Sequence, residues 1–302
     1  MSTLHWLALT ITPGIGGATT RKMLERFGDV ESIFEASPDE LAAIPRISSE
    51  VAERLLAIPF DQLEAEILSL DEEGIDLLTW EDDRFPPRLR ALNDAPLVLF
   101  VRGAILPEDE RAVAIVGTRH PTLPARQRAM ILARELADRG LTIVSGLAEG
   151  IDTAGHQGAL ESSGGRTLAV LGSGIRVIHP SSNRELAERI AYHGAVISEL
   201  HPNTPPRGPQ LMARDRLVSA LSEGVIVIEA STGSGSLDTV ARGQKQGRRI
   251  FAIPGSAGTD ALIQSGAQSL DPEMIDYDSL AALITSFKIP KPLREPKQGR
   301  LF

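Results

Sequence analysis

The chain has 302 residues, 42% hydrophobic and 24% charged, with no cysteine and a formal net charge of −9. That length and balance suit one large globular domain or two smaller ones, and the missing cysteine excludes disulfides, thiolate metal sites and a cysteine nucleophile. The opening MSTLHWLALTITPG lacks the basic start and apolar length of a signal peptide, and no stretch approaches the roughly 20 apolar residues of a membrane helix, so a cytoplasmic protein without membrane contact is expected.

The acidic balance argues mildly against nucleic acid, but distribution matters more than the sum. Much of the acid lies in 61–83, whereas basic residues gather at Arg207, Arg214 and Arg216, across 242–249 and in the tail. A basic site on an acidic body is possible.

Residues 1–78 show helical periodicity. Pro13-Gly-Ile-Gly-Gly17 precedes the amphipathic TTRKMLERFG, and SPDELAAI and SSEVAERLLAI each open on a serine cap with an acid nearby. Ile44-Pro-Arg-Ile-Ser48 stands where a second short hairpin would be. A helical domain is expected here, joined by a connector over 79–110 that contains Phe85-Pro-Pro87 and Leu97-Val-Leu-Phe-Val101.

From 111 to 288 short apolar runs alternate with helical patterns. The runs are 113–116, 141–144, 167–171, 195–198, 225–228 and 250–253, rich in β-branched residues and too short for buried helices. Strand-helix alternation predicts a doubly wound, mostly parallel α/β sheet, with ligands at the carboxyl ends of its strands. Residues 289–302, rich in proline and basic side chains, read as a flexible tail.

The run ends share a chemistry. They read Gly117-Thr118-Arg119, Ser145-Gly146, Gly172-Ser173-Gly174, Ser231-Thr-Gly-Ser-Gly-Ser236 and Pro254-Gly255. Glycine lets a backbone approach a ligand closely, and N–H groups at a turn entering a helix form an anion-binding nest. Several such ends on one sheet edge predict a phosphate-binding rim. No GxGxxG follows the first run and no GxxxxGK[ST] occurs, so no nucleotide cofactor is expected.

In order along the chain, VAIVGTR, SGLAEGIDTAGHQGAL, LAVLGSGIRVIHP, MARDRLVSALSEGVIVIEA, SGSLDTVARGQKQGR and FAIPGS resemble the DNA-processing protein A (DprA/Smf) family. The resemblance covers roughly 85–270, and the N-terminal helices resemble the family's SAM-like or helix-hairpin-helix extension. It implies a Rossmann-like fold that binds single-stranded DNA, forms a homodimer and loads the RecA recombinase during natural transformation. It implies a binding protein and no enzyme, with no catalytic or metal residues.

By that resemblance Arg119 pairs with a DNA phosphate, a charge-assisted contact. Gly117, Thr118, Ser145, Gly146, Gly172, Ser173 and Gly174 form the backbone rim around it. Arg214 and Arg216 match the arginines of the family's Phe-Pro-x-Arg-Asn-Arg segment, and Ser234, Gly235 and Ser236 match its serine-glycine-serine turn. For Arg214 and Arg216, structural pairing stands beside DNA contact, because Asp215 lies between them. Leu211 and Met212 replace the family's phenylalanine and proline, and Asp215 its asparagine. A base-stacking aromatic worth about 1–3 kcal/mol is thus absent. The sequence also ends before a winged-helix-like C-terminal domain, so a divergent member without one is expected.

Four features stay apart from the rim. Asp152 and His156 lie four apart on one expected helix face; no histidine has metal spacing, so the pair is expected to brace the helix. Met212-Ala-Arg214 and Gly233-Ser-Gly235-Ser-Leu-Asp238-Thr239 partly resemble nucleoside-monophosphate phosphoribohydrolases of the LOG type, but the catalytic glutamate position is Thr239. The PGIGG hairpin offers backbone N–H groups either for phosphate or for packing. Gln298, Leu301 and Phe302 resemble the QxxLF peptide that binds the replication sliding clamp.

Overall fold

The structure is a computed structural model that describes residues 2–286. Six helices come first: α1 (Ser2–Ile11), α2 (Gly17–Phe27), α3 (Val30–Glu35), α4 (Pro38–Ala42), α5 (Ser49–Leu56) and α6 (Phe60–Glu72). Asp29, Ser37 and Ser48 cap α3, α4 and α5 by accepting backbone N–H groups, and Ser37 with Glu40 completes a capping box. The two expected hairpins join α1 to α2 and α4 to α5. Gly14 has φ +95° in the first and Arg46 has φ +81° in the second, so the second keeps a left-handed position without glycine.

The first hairpin is packed rather than presented. A side chain at Gly17 would collide with the backbone of Ala95, and Arg21 donates to the carbonyls of Arg90 and Leu92 while lying over the Trp80 ring. Trp6 and Trp80 lie in the core with ring centroids 5.3 Å apart.

Next come β1 (Ile75–Thr79), α7 (Pro87–Arg90) and β2 (Val98–Gly103). The alternating part follows: β3 (Ala112–Val116), α8 (Leu123–Ala137), β4 (Thr142–Ser145), α9 (Ile151–Glu161), β5 (Thr167–Val170), α10 (Arg184–His193) and β6 (Ala195–Ser198). It continues through α11 (Gly208–Leu221), β7 (Gly224–Val227), α12 (Ser236–Lys245), β8 (Arg249–Ala252), α13 (Ala257–Gln264), β9 (Gln268–Ser269) and α14 (Tyr277–Thr285). The nine strands among the described residues form one sheet in the order β1-β2-β6-β5-β4-β3-β7-β8-β9. Pairing is parallel from β6 to β9; β1 with β2 and β2 with β6 are antiparallel. This is the doubly wound, mostly parallel α/β sheet that the alternation predicts, with helices on both faces.

Side-chain alternation explains the two layers. Val113, Ile115, Ile143, Ile226 and Phe251 face one way and pack on Leu132, Leu136, Ala154 and Ile284 of α8, α9 and α14. Ala112, Ala114, Val116, Val144, Val225 and Val227 belong to the opposite core with Leu217, Val218 and Val240 of α11 and α12. That core runs on without a break into the N-terminal helices. The stretch read as a connector supplies β2, whose residues 98–101 are buried, and the expected boundary at residue 78 falls inside β1. Residues 287–302 lie outside the described residues, and with them the tail and its clamp-like Gln298, Leu301 and Phe302.

Candidate nucleic-acid interface

The parallel strands place their carboxyl ends along one edge. The chain winds from β3 through β4 and β5 to β6 in one direction, then returns to β7 on the other side of β3. The switch point is therefore between β3 and β7, where such sheets open a crevice for ligands.

At the β3 end, Gly117 is fixed by space: a Cβ there would lie 2.6 Å from Ile151 Cγ1 and 2.9 Å from the Glu229 carbonyl. The Thr118 N–H donates to the Glu229 carbonyl at 2.7 Å, and the Thr118 carbonyl accepts from Ile151 at 3.2 Å. Glu229 also accepts from the N–H and hydroxyl of Thr122 at 2.9 and 3.0 Å, which ties the α8 N-cap to β7. This frame holds the next residue outward. Arg119 is exposed and makes no ion pair among the described residues. Across the switch point, residues 231–233 and Gly235 are exposed, and Ser234 and Ser236 are half-buried with their hydroxyls 2.8 Å apart. Gly233 and Gly235 have open space where a side chain would be.

The β4 and β5 ends are built differently, and they correct the expected rim. Ser145 is fully buried and donates its hydroxyl to the Ile115 carbonyl at 2.7 Å. Gly146 lies against the Arg214 guanidinium, and its N–H donates to Asp152 Oδ2 at 3.1 Å, as does that of Ala148 at 3.4 Å. The chain's own carboxylate thus occupies the nest that a phosphate would need. Gly172, Ser173 and Gly174 are buried too. A Cβ at Gly172 would lie 2.7 Å from Leu211 Cα, the Ser173 hydroxyl donates to the Val177 carbonyl at 2.6 Å, and Gly174 abuts Pro202. Gly146 and Gly174 spend their N–H groups inside the fold, on Asp152 and the Thr204 carbonyl, and Ser145 and Ser173 spend their hydroxyls on main-chain carbonyls.

The two arginines of α11 are likewise engaged. Arg214 is 6% exposed; it donates from one terminal nitrogen to the carbonyls of Gly146 and Val170, and from Nε to Asp215 at 3.0 Å. It ties the ends of β4 and β5 to α11. Arg216 makes two 2.6 Å bonds to Glu199 and one of 3.0 Å to Asp94. The structural pairing that Asp215 suggested is what both residues show.

Asp152 and His156 brace the fold separately, with no hydrogen bond between them. His156 is fully buried with its Nδ1 2.7 Å from the Thr167 hydroxyl, which donates its own proton to the Ile143 carbonyl. Nδ1 must therefore carry the ring proton, and Nε2 has no partner among the described residues. Burial, with Arg214 nearby, pushes the ring's pKa down to about 3, so the imidazole is neutral. Burial also raises the Asp152 carboxyl, against the pull of Arg214 and the two turn N–H groups. Among the described residues no group of three or more His, Asp or Glu could hold a metal, and no helix is long and apolar enough to cross a membrane.

Arg207, named in the sequence only as part of a basic cluster, is exposed at the α11 N-cap on this same edge. Its position one residue before Gly208-Pro209 was the available signal. The LOG-type features do not assemble a hydrolytic carboxylate: Thr239 is buried, and Asp238 is bonded to Arg242 at 3.3 Å.

Fold and site together define a Rossmann-like sheet protein with an exposed cation at its switch point that makes no ion pair among the described residues. The DNA recombination-mediator protein A family profile matches residues 76–277, and the SAM-like helix-hairpin-helix tandem profile matches residues 7–57. DNA processing protein DprA of Bacillus subtilis is 39% identical over 206 residues, 66% of this chain and 69% of that protein. Protein Smf of Escherichia coli is 37% identical over 223 residues, 72% of this chain and 59% of that protein. The X-ray structure of Streptococcus pneumoniae DprA superposes with a TM-score of 0.81 at 32% identity, covering 95% of this chain and 99% of that one. The Helicobacter pylori DprA structure, described for its single-stranded DNA binding mode, superposes with a TM-score of 0.61 at 31% identity, covering 70% of this chain and 96% of that one. The chain belongs to the DNA recombination-mediator protein A (DprA/Smf) family.

Proposed function

We propose that this protein binds single-stranded DNA at the β3–β7 switch point and acts as a recombination mediator that hands the strand to the RecA recombinase. The observation that carries this reading is Arg119, exposed and without an ion pair among the described residues, on a hydrogen-bonded backbone frame at the point where this fold binds ligands. Thr118 and residues 231–236 flank it, and Arg207 adds a second exposed cation on the same edge. A relative described for its single-stranded DNA binding supports the choice of ligand.

The remaining parts of the reading follow from family membership. The protein works as a homodimer in the cytoplasm, on strands taken up in natural transformation. It is a binding protein rather than an enzyme, a reading supported by the engagement of Asp238 with Arg242. The tail peptide Gln298-Gly-Arg-Leu301-Phe302 is a candidate ligand for the sliding clamp, tested by deleting 298–302 and measuring clamp binding.

The direct experiment titrates labelled single strand, duplex and RNA with the wild type and Arg119→Ala across salt concentrations. Single strand should bind best and lose affinity steeply with salt. Arg119→Ala should weaken binding for all sequences alike and reduce the log-log salt slope by about 0.7, the value for one phosphate contact on a single strand. Salt-independent binding, or full affinity in Arg119→Ala, overturns the assignment.

A further inference from the structure

Behind the Gly146 turn lies a charge cluster that DNA binding at Arg119 does not use. Arg214 is its centre, bonded to Asp215 and to the Gly146 and Val170 carbonyls. Asp152 of α9 and Asp238 of α12 also act on the Asp215 carboxylate, and Arg242 holds Asp238. His156 of α9 adds no charge. Three carboxylates thus stand against two guanidiniums.

The carboxylates are not equivalent. Asp152 closes the Gly146–Ala148 turn, and Asp238 is paired within its own helix. Among the described residues the Asp215 side chain makes one bond, to Arg214 Nε, whereas Arg214 reaches both carbonyls from a different nitrogen. Its charge can be removed while the brace keeps its carbonyl contacts. The cluster also abuts the proposed binding face, since the turn that begins at Gly146 ends at Gly150, packed on the Thr118 and Arg119 carbonyls.

We propose that Asp215 limits affinity for nucleic-acid phosphate: its carboxylate opposes the phosphates held at Arg119, and removing that charge strengthens single-strand binding. This inference rests on the reading of the Arg119 face as the phosphate site. Protonation removes the charge as substitution does. Burial, with Asp152 and Asp238 adding to it against the pull of Arg214, raises the Asp215 carboxyl to about 6. The group is mostly charged at pH 8 and mostly neutral at pH 5, so binding should tighten as pH falls through 6.

The test titrates labelled oligo-dT with the wild type, Asp215→Asn and Asp215→Ser at about pH 5 and about pH 8, at one ionic strength, with thermal unfolding of each protein. Histidines near the face are common to all three proteins and cancel in the ratios. Removing one unit charge beside a partly solvated phosphate site corresponds to about a threefold to tenfold change. Both variants should bind tighter than the wild type by that factor at about pH 8 and converge with it at about pH 5. Folded variants with wild-type affinity at about pH 8, or a ratio that does not change with pH, overturn the proposal. In those cases the Arg119 reading stands if Arg119→Ala, titrated alongside, still loses affinity. Absence of binding by all three proteins at both pH values overturns that reading and this inference together.

Discussion

The ends of β3 and β4 are adjacent, glycine-bearing and each associated with an arginine, yet they do opposite work. At β3 the Thr118 N–H donates to the Glu229 carbonyl, the Thr118 carbonyl accepts from Ile151, and the arginine is exposed with no ion pair among the described residues. At β4 the arginine comes from α11, points inward and fills the space that Gly146 leaves. Glycine marks close approach in both places. The chain itself approaches at β3, β4 and β5, whereas Gly233 and Gly235 of the β7 loop face open space. A glycine-rich sheet edge is therefore a site only where its donors and cations are left over after the fold is satisfied.

The sharpest way to break this comparison is Arg214→Met. Removing a buried guanidinium from two carbonyls and Asp215 should cost about 3–5 kcal/mol, read by urea unfolding. Arg119→Ala should stay within about 0.5 kcal/mol of the wild type in that assay. Equal stability of the two variants would erase the distinction.

Acid tests the same buried side through His156. In the unfolded chain its imidazole protonates below its ordinary 6.5, but in the fold only near 3. The stability it contributes is complete above pH 6.5 and is lost as pH falls from there toward 3. Between pH 6.5 and about pH 4.5 the loss should be about 2–3 kcal/mol. Unfolding of His156→Leu should show a correspondingly flatter pH dependence over that range, and an unchanged slope would count against the neutral buried ring.

Glycine substitutions sharpen the contrast further. Gly172→Ala places a methyl 2.7 Å from Leu211 Cα and should destabilise by about 1–3 kcal/mol. Gly235→Ala enters open space at φ −59° and should change stability by less than about 0.5 kcal/mol. Melting temperatures of the two variants check both halves.

The sheet was legible because its strands are short, β-branched and buried on both faces; the six runs read at 113–116 through 250–253 lie within a residue or two of β3–β8. The run 97–101 was visible as apolar, but its place as β2 depends on antiparallel pairing with β6, nearly 100 residues on. The site was legible only in part. Composition marks Gly146, Gly172 and Gly174 as points of close approach, but their neighbours are Arg214, Leu211 and Pro202, 28 to 68 residues away in the chain. Asp152 is a case where spacing sufficed for role but not for partner: it braces the turn behind it, and His156 bonds elsewhere.

The central claim is that Arg119 binds and Arg214 braces. One titration of labelled single-stranded DNA with Arg119→Ala, confirmed as folded, tests it most directly. The account predicts about a tenfold loss of affinity, equivalent to about 1.4 kcal/mol, with a shallower salt dependence. Wild-type affinity and salt slope in that variant would contradict it.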